Sequence, residues 1–98
     1  MQALTVLSDP TRQRIVEMLA KGPRASGDIA RQFDMTAPAV SQHLKTLRDA
    51  KLVRVRPEAQ RRFYELNPEG VMELSQWVEG IRAFWANKLD ALEEELRK

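Results

Sequence analysis

Apolar residues in the first half of the chain recur at helical spacing in short blocks. Each block is bracketed by residues that start or stop helices. Leu4–Leu7 reads as a brief helix, too short to persist unless something packs on it. Asp9-Pro10 reads as the N-cap and first position of a second helix, which runs through Ile15, Val16 and Leu19 and stops at Lys21-Gly22-Pro23. Ser26 is placed to cap a third, SGDIARQF, with Asp28 in its first turn and Ile29, Ala30 and Phe33 inside. Only Asp34, Met35 and Thr36 separate it from a fourth helix. So short a link makes the two cross steeply, and Asp34 is the residue there that tolerates a left-handed backbone. Thr36 caps the fourth helix, and Pro38 lies in its first turn, where a missing N–H costs nothing. In TAPAVSQHLKTL (36–47), Val40, Leu44 and Leu47 form one stripe, with Ser41, Gln42, Lys45 and Thr46 opposite. This is a helix-turn-helix pattern.

Past Ala50-Lys51-Leu52 the period falls to two. Val53 and Val55 alternate with Arg54 and Arg56, and Tyr64 and Leu66 alternate with Phe63 and Glu65. PEAQ breaks the pattern, with Arg61 and Arg62 beside it. The stretch predicts a two-stranded hairpin with a basic tip. Asn67-Pro68-Glu69 then opens a last helix whose apolar residues fall at 71, 74, 78, 81, 85, 89, 92 and 96, widened by Trp77 and Phe84. A helix of roughly 29 residues is roughly 43 Å long, and the preceding 66 residues do not suffice to cover it end to end. Monomers rarely leave such a stripe bare. A two-fold dimer covers it, built on Leu74, Val78, Ile81, Trp85, Leu89 and Leu92 with help from Leu4 and Leu7. An intramolecular core helix is the lesser alternative. Gly80, costly in a helix interior, marks a close approach or a bend.

The 98 residues are one domain's worth: a core over 1–66 with its wing at about 53–66, and a dimerisation helix over 67–98. The fold class expected is mainly α with a small β-hairpin. There is no cysteine, which removes disulfides, thiolate metal sites and a cysteine nucleophile and fits a reducing cytoplasm. No apolar run is long enough to span a membrane, and the first residues lack the basic region of a signal peptide. The net charge of +2 hides an asymmetry: residues 1–66 carry 12 Lys/Arg against 7 Asp/Glu, while 67–98 carry 4 against 7. Within 45–62, seven basic residues face only Asp49 and Glu58, so a polyanion is the expected partner of that part.

The segments LSDPTRQRIVEML (7–19), SGDIARQF (26–33), TAPAVSQHLKTLRDAKLV (36–53) and RRFYEL (61–66) resemble the ArsR-type winged helix-turn-helix repressors of bacteria. The resemblance implies a homodimeric transcription factor, usually a repressor, with first and last helices at the dimer interface. Metal-sensing members of that family carry a Cys-x-Cys-type pair near the third helix or Asp/His-type ligands on the last. Here the first region reads PRASGDI, and the only histidine is His43. The resemblance is therefore to a metal-free member, with no cofactor, and nothing names a small-molecule effector. The wing tip holds Ala59-Gln60 where the family commonly has glycine.

The major groove of B-DNA admits one α-helix, whose early residues reach base edges. Thr36, Ala37, Pro38, Ser41 and Gln42 hold those positions. Gln42 can pair bidentately with adenine, Ser41 can donate or accept, and Ala37 and Pro38 suit a thymine methyl. Lys45 and Thr46, a turn later, fall near phosphate, and Arg61 and Arg62 reach an adjacent backbone or minor groove. His43 reads as a half-buried histidine bonded to backbone or as a DNA contact, and the resemblance favours contact. Arg12 reads as structural rather than a phosphate ligand, and Tyr64 as hairpin core. An enzyme would need a nucleophile with its base or paired carboxylates in a cleft, and no such set is present. The rival use of the fold is a protein-docking or dimerisation module, which would need neither Arg61/Arg62 on the tip nor Gln42/Lys45 on the helix. Sequence-specific binding of duplex DNA by a dimer reading a palindrome is the function expected.

Overall fold

The structure, a computed structural model, describes residues 2–98. Its elements run α1 (Gln2–Val6), α2 (Pro10–Leu19), β1 (Arg24–Ala25), α3 (Ser26–Phe33), α4 (Ala37–Asp49), β2 (Val53–Glu58), β3 (Arg61–Leu66) and α5 (Pro68–Leu96). Ile15, Leu19, Ile29, Val40, Leu44, Leu47, Leu52 and Val53 are all at most 3% exposed and form the core, closed by Tyr64 from the sheet. Every apolar stripe the pattern assigned to α2, α3 and α4 thus meets in one place, and the hydrophobic effect holds three helices and a hairpin together there.

Local chemistry sets the ends of these elements. Asp9 accepts a hydrogen bond from the backbone N–H of Arg12 at 3.0 Å, and Thr36 from that of Ala39 at 3.3 Å, with a proline inside the first turn of each helix. Asp34 adopts φ 51, the left-handed conformation expected of it, and the chain reverses there with Met35 N–H donating to the Ala30 carbonyl. At the end of α4 the left-handed residue is Lys51 (φ 62). Leu52 N–H donates to the Leu47 carbonyl at 3.0 Å and Lys51 N–H to the Arg48 carbonyl at 2.9 Å, closing a Schellman motif without glycine.

Three local expectations are corrected. The sheet has three strands, in the order β1-β3-β2, where the pattern showed a two-stranded hairpin. Arg24 pairs with Tyr64 and Ala25 with Phe63, and two residues are too short a run for alternation to register. Because Ala25 is drawn into that pairing, it occupies the N-cap of α3, and Ser26 is the first helical residue rather than the cap. PEAQ is also not all turn: Pro57 pairs with Arg62 and Glu58 with Arg61. The loop is Ala59-Gln60 alone, with Ala59 at φ 55 taking the role usually given to glycine or asparagine.

The last helix spans 29 residues as the spacing predicted, from its Asn67 cap to Leu96. Its first turns dock on the core: Asn67 N–H donates to the Leu52 carbonyl at 2.9 Å, and Leu74 packs on the cluster. From Trp77 on it leaves the body. The molecule measures 66 × 25 × 22 Å with a radius of gyration of 17.8 Å, against about 13 Å for a compact chain of this length. Trp77, Val78, Ile81, Phe84, Trp85, Leu89, Leu92 and Leu96 are consequently exposed, and the core alone does not use them. Leu4 is also exposed, whereas Leu7 and Leu74 are partly committed to the core. Among the described residues no helix is long and apolar enough to cross a membrane.

Candidate nucleic-acid interface

α4 is anchored by Val40, Leu44 and Leu47, each at most 1% exposed, and this fixes what its other side presents. Thr36, Ala37, Pro38, Ser41, Gln42 and Lys45 are exposed, and Thr46 is half-buried. The structure therefore brings the predicted helix residues onto one open surface, with differences in how free they are. Thr36 is engaged as a cap through its oxygen. Thr46 donates its hydroxyl to the Gln42 carbonyl at 3.1 Å, and Lys45 reaches Asp49 at 3.1 Å. An exposed i,i+4 pair of that kind is worth about 0.3–0.5 kcal/mol, so a phosphate can displace it. Ser41 and Gln42 make no side-chain hydrogen bond among the described residues.

The wing's basic charge is partly neutralised at its base. Glu65 lies 3.3 Å from Arg54 and 3.9 Å from Arg56. Arg61 and Arg62 remain at the tip. Arg61 lies over the Phe63 ring at 5.2 Å and 3.7 Å from Asp28, which also binds Arg31 on α3. Arg62 is exposed and has no ion pair among the described residues. Arg31, Arg61 and Arg62 together line a cleft with Ala25, Ser26 and Gly27, where the wing meets the start of α3. Arg31 is an addition the sequence did not single out, since only the β1–β3 pairing brings α3 beside the wing tip.

Arg12 and His43 meet at the junction of α1, α2 and α4. Arg12 Nε donates to the Val6 carbonyl at 2.7 Å, and Nη1 lies 3.4 Å from His43 Nδ1. Asp9 completes the group, its carboxyl held below the ordinary range by the Arg12 backbone N–H and by the positive charge nearby. Among the described residues no set of three His, Cys, Asp or Glu side chains is placed to hold a metal.

Thr36 offers a direct check on how α4 is held. Thr36→Ala should cost about 1 kcal/mol in urea denaturation, and Thr36→Ser should restore most of it. Equal stability of all three chains would show that the cap contributes nothing.

Two packed helices joined by a left-handed turn at Asp34, the second anchored and polar on its exposed side, followed by a basic hairpin, define the winged helix-turn-helix class of DNA-binding proteins. The family model for bacterial regulatory proteins of the arsR family matches residues 9–55. The chain is 46% identical over 88 residues to the HTH-type transcriptional regulator Rv2034 of Mycobacterium tuberculosis, covering 90% of this chain and 79% of that one. It is 33% identical over 72 residues to the transcriptional repressor SdpR of Bacillus subtilis, covering 74% and 80%. The solution structure of a homodimeric winged helix-turn-helix DNA-binding domain from Mycobacterium bovis, a possible ArsR-family regulator, superposes with TM-score 0.70 at 29% identity, over 84% of this chain and 76% of that one. The chain belongs to the arsR family of bacterial regulatory proteins and is a transcriptional regulator.

Proposed function

We propose that the protein is a homodimeric repressor that binds a palindromic operator in the cytoplasm, placing α4 of each copy in a major groove and each wing tip on the adjacent backbone. The observation that carries this reading is the anchored helix with an uncommitted polar row, Ser41 and Gln42, together with an exposed Arg62 that has no ion pair among the described residues. A domain used only for protein docking would leave both without purpose. Gln42 and Ser41 read base edges, Ala37 and Pro38 meet a thymine methyl, and Thr36, His43, Lys45 and Thr46 sit at the groove's rim. Arg61 and Arg62 take phosphate or the minor groove, where arginine is favoured. The bare stripe of α5 supports the dimer: Val78, Ile81, Trp85, Leu89 and Leu92, flanked by Leu74 and with Leu4 and Leu7 of α1, pack on their copies. The relative from Mycobacterium bovis is itself homodimeric. Two-fold symmetry then sets the two reading helices about 34–36 Å apart, one duplex turn. No metal or cofactor takes part in this reading.

A salt titration on a palindromic duplex tests it. Affinity should fall steeply and log-linearly with salt as phosphate-bound cations are released. Gln42→Ala should relax base preference at a cost of about 1–3 kcal/mol. Arg62→Ala should weaken binding to all duplexes alike and flatten the salt slope by about two, one for each copy in the dimer. A flat salt response, or identical behaviour of the two variants, would overturn the assignment.

A further inference from the structure

We propose that Arg12 is a positioning residue for DNA binding: it holds the His43 ring so that Nε2–H is aimed outward as a donor to a phosphate oxygen. The proposal rests on the reading of α4 as the groove helix. Its basis is the junction where α1, α2 and α4 meet. The Arg12 guanidinium is held by Nε donating to the Val6 carbonyl at 2.7 Å, while its backbone N–H, capped by Asp9 at 3.0 Å, fixes the base of the side chain at the start of α2. Its remaining arm, Nη1, faces His43 Nδ1 at 3.4 Å. A guanidinium has five donors and no acceptor, so in this pair Nδ1 must accept. The neutral ring then carries its proton on Nε2, at the opposite corner from Arg12. His43 is half-buried on the flank of α4, between exposed Gln42 and buried Leu44, which puts that corner at the edge of the reading surface. Nε2 has no partner among the described residues. An outward donor of fixed direction, beside the bases' reader but not among them, suits a phosphate rather than a base.

The arrangement also ties register to dimerisation. Val6 ends α1, so the same arginine links the helix beside the proposed dimer surface to the reading helix.

The test uses the two amides that mimic one ring nitrogen each, in the full chain and on an operator duplex. His43→Gln offers an N–H near the Nε2 position, and His43→Asn keeps a short acceptor for Arg12 but withdraws the outward donor. His43→Gln, which keeps the outward donor, should bind more tightly than His43→Asn. His43→Asn should lose about tenfold for each half-site, the worth of one hydrogen bond to a charged group, and so roughly a hundredfold for the dimer. Arg12→Met should cost a similar factor in the parent and almost nothing in the His43→Gln chain, where no ring needs orienting. An equal loss in both backgrounds would show that Arg12 acts on DNA or stability by itself. Equal binding by the two amides would show that His43 gives no donor. His43 is the only histidine, so the ¹⁵N spectrum of the parent reports it alone. A hydrogen-bonded Nδ1 that loses this signature in Arg12→Met is expected, and a parent ring protonated on Nδ1 would refute the pair even if Arg12→Met failed to fold. If instead α4 is not the groove helix, Gln42→Ala will leave affinity unchanged as well, which separates the two failures.

Discussion

Trp85→Asp is expected to yield a folded monomer by light scattering, with affinity for a palindromic duplex reduced by two orders of magnitude or more. The substitution removes nothing from the chain's own core: Trp85 is 56% exposed, and its neighbour in contact is Phe84 on the same helix, ring centroids 5.6 Å apart. The melting of the core over 2–66 should therefore hardly change. What changes is the surface that two copies share. A carboxylate placed in the middle of Val78, Ile81, Leu89 and Leu92 would be desolvated against its own twin, and an unpaired buried charge costs several kcal/mol. Loss of the dimer then costs the operator the second half-site, because tethered binding is worth about 10²–10⁴ in affinity without any new contact. A Trp85→Asp chain that stays dimeric would place the interface elsewhere and leave α5 without an explanation. A monomer that still binds the palindrome at parental affinity would break the link between dimer and operator.

The parts of this fold that were legible beforehand are those where one residue's chemistry decides one local event. Asp34 stood out because so few side chains tolerate φ near 51, and Thr36 because a hydroxyl before Pro38 and an apolar stripe has few other uses. The length and exposure of α5 followed from spacing alone. What escaped were features made by partners distant in sequence. Strand β1 exists because β3 offers an edge to Arg24 and Ala25, and that pairing moves the start of α3 by one residue and sets Arg31 beside the wing tip. The Arg12–His43 contact joins positions 31 apart on different helices, and nothing in either neighbourhood announces it. The turn is shorter than the pattern suggests, because Pro57 has the look of a breaker. At an edge strand a proline loses no ladder bond it needed, and Pro57 pairs with Arg62 from that position. Residue types on the exposed side of α4 and on the wing tip were thus evident, while the freedom each retains is set by packing: Lys45 is tied to Asp49, Arg61 to Asp28, and Arg62 to neither.

The second large effect belongs to Gly70, where α5 meets the end of α4. A Cβ there would stand 1.8 Å from the Lys51 carbonyl oxygen and 2.6 Å from its carbon, and the atoms in the way are backbone. They cannot step aside, because Lys51 is the left-handed residue of the motif that ends α4, and Asn67 N–H is bonded to the Leu52 carbonyl three residues before Gly70. Gly70→Ala is therefore expected to destabilise the chain by about 3 kcal/mol or more in urea denaturation, at or above the upper end for overpacking. Gly80 gives the internal comparison. It lies in the same helix with nothing within 4 Å of an added Cβ, so Gly80→Ala, measured in the monomeric Trp85→Asp chain, should stabilise by about 1 kcal/mol through helix propensity alone. Opposite signs for one substitution in one helix would show that Gly70 is required by a contact and not by flexibility. The same contact fixes the angle at which α5 leaves the core, and with it the separation of the two reading helices in the proposed dimer. Gly70→Ala chains that fold should accordingly lose operator affinity beyond what their lowered stability explains. A Gly70→Ala chain as stable as its parent would mean that α5 leaves the core along some other line, and the spacing argument for the operator would fail with it.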